Sequence, residues 1–246
     1  MKQNIYDNPE FFQKYKAIRE RANNYNNLLE QPNFLRLMPD VKDKLVLDIG
    51  CGMGDFAASC LQKGAAQVKG IDISKNMIDL AKSKHVHPQL QFQHIAFEDL
   101  QLAERSVDVI CSSLAFHYIA DFAALVNKIG HALAPDGMLL FSIEHPMVTA
   151  NKGHSDWILD EHGQILHYAL DRYQLEGKRT QSWLVDDVIT YHRTLSTIIN
   201  TLVTNHIQIE GIVEPIPTDE ALQLLPTLKK QMKCPAFLII KGKKMI

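Results

Sequence analysis

The sequence predicts an α/β fold built on a doubly wound, mostly parallel sheet, and three observations carry that prediction. A short aliphatic and β-branched run from Lys44 to Ile49 reads as a strand buried on both faces. Glycines at alternate positions (Gly50, Gly52, Gly54) follow it at once, and a helical pattern through Phe56, Ala57, Cys60 and Leu61 follows them. The same strand-then-helix rhythm recurs downstream as far as Glu144. Glycine admits positive φ and has no Cβ, so the chain can turn sharply while a ligand lies against its backbone. Strand, turn and helix N-terminus then present free N–H groups at the carboxyl edge of the sheet, where open α/β sheets bind ligands.

Before the first strand, residues 1–43 read as a helical cap. Asn8 to Arg21 predicts one helix, with Pro9 near its start. Leu28, Leu29, Phe34, Leu35 and Leu37 predict a second, ending before Pro39. Tyr15 and Arg19 fall one turn apart on one face of the first helix. After the glycine turn, Gly64 stands where a helix C-terminus favours it. Val68 to Asp72 is the second strand, and Ser74 offers an N-cap to a helix through Lys84. Leu90–Ile95 is the third strand, leading into the loop Ala96-Phe97-Glu98-Asp99-Leu100. Val107–Ser112 is the fourth, leading into Ser113 to Tyr118. A helix over Phe122–Leu133 precedes the fifth strand, Met138–Ile143, whose carboxyl end delivers Glu144-His145-Pro146.

The rhythm breaks at Thr149. Residues 150–187 are polar and aromatic, with a turn at Glu161–Gln164 between the β-like runs Trp157–Leu159 and Ile165–Ala169. This stretch reads as an inserted antiparallel hairpin, either a lid or an edge cover. A helix follows from about His192, with Leu195, Ile198, Ile199, Leu202 and Val203 in one stripe. Ile207–Val213 and Ala236–Lys241 are the last strands. Residues 44–149 and 188–246 thus form one domain around the insert.

The glycine spacing decides the ligand class. The dinucleotide fingerprint is G-x-G-x-x-G, but here the third glycine comes one residue early and Asp55 takes its place. An anionic side chain facing a pyrophosphate disfavours a nucleotide-dependent oxidoreductase. Asp48, just before the turn, suits a ligand that carries positive charge, such as S-adenosylmethionine with its ammonium and sulfonium. Asp72 ends the second strand 22 positions after Gly50, the separation at which a carboxylate accepts ribose hydroxyls.

From these residues the chain resembles the class I S-adenosylmethionine-dependent methyltransferases. VLDIGCGMG looks like their first motif and GIDIS like their second, and the resemblance continues through Ser106–Ser113 and Leu133–Leu140. It implies a Rossmann-like, seven-stranded sheet with a closing antiparallel strand, an N-terminal helical cover, and S-adenosylmethionine as cofactor. It also implies cofactor contacts from Asp48, Gly50, Cys51, Gly52 and Gly54 in the first motif. Asp72, Ile73 and Met77 would serve ribose and adenine, Phe97 and Glu98 the adenine edge, and Ser113, Tyr15 and Arg19 the methionine end. In the adenine loop the family's usual Asp and small residue are replaced by Ala96 and Phe97, which turns attention to Glu98. A non-catalytic module that binds the same cofactor is the alternative on this fold.

Composition narrows the acceptor. The 246 residues are 46% apolar and 22% charged with net charge −2, and no basic block marks a nucleic-acid partner. Four cysteines without C-x-x-C spacing read as reduced structural thiols. No apolar run reaches membrane-spanning length and the start is not a signal peptide, so the expectation is a cytoplasmic enzyme with a small-molecule acceptor. Oligomeric state is open. His117, Glu144, His145 and His192 are the candidate bases and orienting groups, since they follow the fourth and fifth strands or open the helix after the insert. No metal is expected.

Overall fold

The computed structural model describes residues 2–151 and 157–245. Seven strands form the central sheet: β1 (Leu45–Ile49), β2 (Gln67–Asp72), β3 (Leu90–His94), β4 (Val107–Ser113), β5 (Leu133–Glu144), β10 (Ile207–Val213) and β11 (Phe237–Lys244). Four more strands pair in two hairpins: β6 (Trp157–Leu159) with β7 (Ile165–Tyr168), and β8 (Gly177–Trp183) with β9 (Val185–His192). The sheet order is β10-β11-β5-β4-β1-β2-β3. β1 pairs in parallel with both β2 and β4, so strand order reverses there, and β11 lies antiparallel to β5 and β10.

Adjacent residues of each central strand serve opposite cores, which is why these runs carry no polar alternation. Leu47, Ile110 and Leu139 join one cluster with Ile129 of α5 (Phe122–Ala132) and Leu202 of α7 (Leu195–Thr204). Val46, Val109 and Leu140 join the other, with Ala57 of α3 (Asp55–Gln62) and Ile78 of α4 (Lys75–Lys84). Ser74 caps α4 as expected, its hydroxyl accepting from Met77 N at 3.1 Å. The N-terminal helices are α1 (Pro9–Glu20), capped by Asn8, and α2 (Gln31–Leu37), which a π-helical turn over Asn26–Glu30 leads into and whose Phe34 packs in the second of these cores.

One expectation needs correction. The run Tyr191-His192-Arg193-Thr194 does not begin a helix: Tyr191 and His192 end β9, and Thr194 caps α7 by accepting from Thr197 N at 3.2 Å. The β8–β9 hairpin, the longer of the two, thus runs on through residue 192. Among the described residues no helix is long and apolar enough to cross a membrane.

Candidate active site

The glycine turn is pinned from below. Gly50 and Cys51 both donate backbone N–H groups to Ile71 O of β2, at 2.8 and 3.0 Å. The three glycines have φ of 72°, 53° and 82°. A Cβ on Gly50 would stand 2.5 Å from that of Ala115, whereas the Cβ position of Gly52 has nothing within 4 Å. Gly54 has a different task from the one expected. It does not line the cavity, and a Cβ there would meet the Phe92 ring at 2.5 Å, so it serves the packing of α3 on the sheet.

A cavity of about 1010 Å³ opens over the carboxyl ends of β1, β2, β4 and β5. Asp48, Gly50, Cys51 and Gly52 line it from the first turn, and Asp72, Ile73 and Met77 from the second. Phe97 and Glu98 enter after β3, Ser113 and His117 at the end of β4, and Glu144 at the end of β5. Tyr15 and Arg19 descend on it from α1, Arg19 hydrogen-bonded to Asn26.

Its floor is acidic. Asp72 accepts from Gly52 N at 2.9 Å and from Ser74 N at 2.8 Å. Burial lifts its pKa to about 6 against those two donors. Asp48 is 2% exposed, and its Oδ2 has no hydrogen-bond partner among the described residues. Burial, and then the charge of Asp72, raise the Asp48 pKa to about 8. An enclosed carboxylate without a donor calls for a cationic ligand, and the ammonium of S-adenosylmethionine meets that need, so the residues fit the cofactor. A ligand cation on Asp48 lowers its pKa, so binding expels the proton that the free carboxyl holds below pH 8. Calorimetry at pH 7 in buffers of different ionisation enthalpy should therefore show about 0.5–1 proton released per S-adenosylhomocysteine, with affinity rising from pH 6 to 8. No proton release would leave Asp48 outside the contact.

His117 is 4% exposed, and the Glu144 backbone N–H donates to its Nδ1 at 3.3 Å. The ring proton is thereby assigned to Nε2. Burial, and then Arg193, push its pKa down to about 3. The sequence offers His117 as a base; this geometry makes it a neutral hydrogen-bond donor. His145 and His192 lie outside the cavity. His145 contacts Glu214 at 2.9 Å and caps α6 (Pro146–Ala150) by accepting from Met147 N. His192, fully buried, accepts from Thr149 and donates to Tyr173 O at 2.8 Å, so it anchors the insert while His145 fixes the start of α6.

Several residues reach the cavity without a sequence signal. Tyr6 is placed there because Asp7 accepts from Ser74 Oγ and from the N–H groups of Lys75 and Asn76, fastening the N-terminal segment to the start of α4. Trp183, beside the β8–β9 turn, packs edge-on against Phe11 at 5.3 Å and Tyr15 at 6.2 Å. Gln3 bonds to β9 through Asp187 O and Ile189 N, so N-terminus and second hairpin form one roof. Glu30, fully buried, accepts from Ser113 Oγ at 3.0 Å and Ser142 Oγ at 2.5 Å, tying the helical cap to β4 and β5. The first hairpin stays apart. Trp157 and Tyr168 pack on each other, and Lys233 donates to Leu166 O.

A parallel sheet closed by one antiparallel strand, with an acidic pair over a glycine turn, defines the class I methyltransferase architecture. The methyltransferase-domain family matches residues 47–141. A solved structure from Listeria monocytogenes, assigned as an S-adenosylmethionine-dependent methyltransferase, is 39% identical with a TM-score of 0.83, covering 88% of this chain and 97% of that one. One from Mesorhizobium loti of the same description is 32% identical with a TM-score of 0.81, covering 87% and 97%. The ubiquinone biosynthesis O-methyltransferase of Neisseria meningitidis is 36% identical over 107 residues, 42% of this chain and 45% of that enzyme. The chain belongs to the S-adenosylmethionine-dependent methyltransferases, and its cofactor is S-adenosylmethionine.

Proposed function

We propose that this enzyme methylates a small molecule held in the same cavity as the cofactor. One observation supports this above all: the cavity that contains Asp48 and Asp72 continues to His117 and Glu144 under an aromatic roof. Its volume, about 1010 Å³, lies at the top of the range of roughly 300–1,000 Å³ usual for small-molecule sites, so it admits a second small ligand. Asp72 holds the ribose hydroxyls and Asp48 the ammonium. Ile73 and Met77 flank adenine, the Phe97–Glu98 loop reads its edge, and Tyr15 and Arg19 close the methionine end. When bound, S-adenosylmethionine supplies a methyl group made electrophilic by its sulfonium. The β8–β9 hairpin acts as the lid, excluding water and fixing the acceptor in line. Net charge −2 without a basic block disfavours a nucleic-acid acceptor, and four buried cysteines without C-x-x-C spacing suit the cytoplasm.

S-adenosylhomocysteine should raise the melting temperature and NAD should not, because a ligand stabilises only the state that binds it. A shift with NAD alone would overturn the reading. Asp72→Ala should weaken S-adenosylhomocysteine by about 1.5–3 kcal/mol, the range for hydrogen bonds to a charged acceptor. Unchanged affinity in calorimetry would move the ribose contact elsewhere.

A further inference from the structure

Glu144 poses a problem that the cofactor does not solve. β4 and β1 separate β5 from β2, so its carboxylate lies beyond the cradle formed by Asp48 and Asp72. Its Oε2 is enclosed and has no hydrogen-bond partner among the described residues, and no described cation pairs with it. Of the cavity's cations, Lys2 is paired with Asp99 at 2.5 Å and Arg19 with Asn26, and Arg21, exposed beyond the end of α1, makes no ion pair with Glu144. Arg193 spends its donors on Ile119 O and Ala120 O and lies over the rings of Phe122 and Tyr191. His117 is neutral, and burial keeps the Tyr6, Tyr15 and Tyr118 hydroxyls protonated.

The walls around it are aromatic. Tyr6, Tyr118, Tyr191 and Trp183 all line the cavity, with Tyr6 and Tyr118 edge to face at 6.1 Å. A desolvated carboxylate needs a compensating cation, and aromatic faces attract organic cations while giving nothing comparable to an anion. An alcohol would satisfy the orphaned oxygen but would leave the ionised form, populated at and above neutral pH, without a compensating charge.

We infer that Glu144 and the surrounding tyrosines bind a primary or secondary amine, and that this amine nitrogen is the methyl acceptor. The inference rests on the methyltransferase reading above and names its substrate class. Glu144 pairs with the ammonium and takes one of its protons: the N–H bond breaks, its electron pair stays on nitrogen, and an O–H bond forms on the carboxyl. The nitrogen lone pair then forms the N–C bond to the donor methyl as the C–S bond breaks. That pair returns to sulfur, leaving neutral S-adenosylhomocysteine and an N-methylammonium product. Burial raises the Glu144 pKa to about 7 against a hydrogen bond from Gln181, a value suited to proton exchange near neutral pH. The Nε2–H of His117, its Nδ1 held by the Glu144 backbone, is a positioning donor beside it.

The test is calorimetry on protein saturated with S-adenosylhomocysteine, using 2-phenylethylamine, tyramine and hexylamine, each against the alcohol of the same skeleton, with catechol as a phenolic probe. At least one amine should bind tenfold or more tighter than its alcohol and than catechol, and labelled methyl from the cofactor should be recovered on its nitrogen. Glu144→Gln should erase that preference while keeping S-adenosylhomocysteine affinity within threefold. Absence of amine binding, equal binding of the alcohols or catechol, a preference that survives Glu144→Gln, or a bound amine left unmethylated would each overturn the inference. If Glu144→Gln does not fold, the wild-type preference still decides. Failure of S-adenosylhomocysteine itself to bind would instead sink the methyltransferase reading, so the two failures are distinct.

Discussion

Gly50→Ala should lose S-adenosylhomocysteine affinity by about a hundredfold or more, roughly 2.7 kcal/mol, and should also destabilise the fold. The residue holds φ of 72°, and a Cβ would stand 2.5 Å from that of Ala115. An L side chain in left-handed backbone costs about 1–2 kcal/mol by itself. Relieving the overlap must also shift the turn, which hangs on the N–H groups of Gly50 and Cys51 donating to Ile71 O. Gly52→Ala is the informative partner. Its Cβ has open space around it in the protein alone, so stability should fall by only about 1 kcal/mol. Binding should still fall at least tenfold, because the proposed site lays the cofactor in that space. Denaturant titration and calorimetry separate the two quantities, and a Gly52→Ala protein with unchanged affinity would place the ligand away from the turn.

The second large effect concerns the roof. Arg179 and Thr190 are register partners in the β8–β9 hairpin, so residues 180–189 can be replaced by an Asn-Gly turn. The change removes Trp183 and Ile189 from the cavity and frees Gln3 from β9. Methyl transfer should fall by about 10²-fold or more, since a misplacement of order 1 Å already costs that much. S-adenosylhomocysteine affinity should stay within about fivefold, because Asp48, Gly52 and Asp72 are untouched. A soluble variant with full turnover would refute the lid. Aggregation would show instead that the hairpin chiefly covers Phe11 and Tyr15, against which Trp183 packs.

The part of the chain that was legible in the sequence is the part where local pattern and tertiary demand coincide. β1 and β4 are largely apolar, buried runs, β10 alternates apolar residues with Gln208 and Glu210, and Gly50, Gly52 and Asp72 owe their places to backbone geometry that few other residues satisfy. The second hairpin was hidden because Gly177-Lys178-Arg179-Thr180 is polar and its burial comes from α1 and α6, not from its own sequence. His192 looked like a helix start because β9 runs into α7 with only Arg193 and Thr194 between them. The fate of the histidines was illegible for the same reason. Whether a ring faces a cavity, a Glu214 or a Thr149 depends on partners 43 to 69 positions away. Tyr6 reaches the cavity, and Glu30 ties the helical cap to β4 and β5, through contacts of this kind, and neither carries a periodic signal.

The most direct measurement is a crystal structure with S-adenosylhomocysteine bound. Its ribose hydroxyls should meet Asp72, its ammonium Asp48, and its backbone-facing edge Gly52, with the sulfur directed along β4 toward Glu144 and the space beneath Trp183. A ligand bound with the ribose away from Asp72, or with its sulfur closed off from Glu144, would contradict a single cavity that brings methyl donor and small-molecule acceptor together.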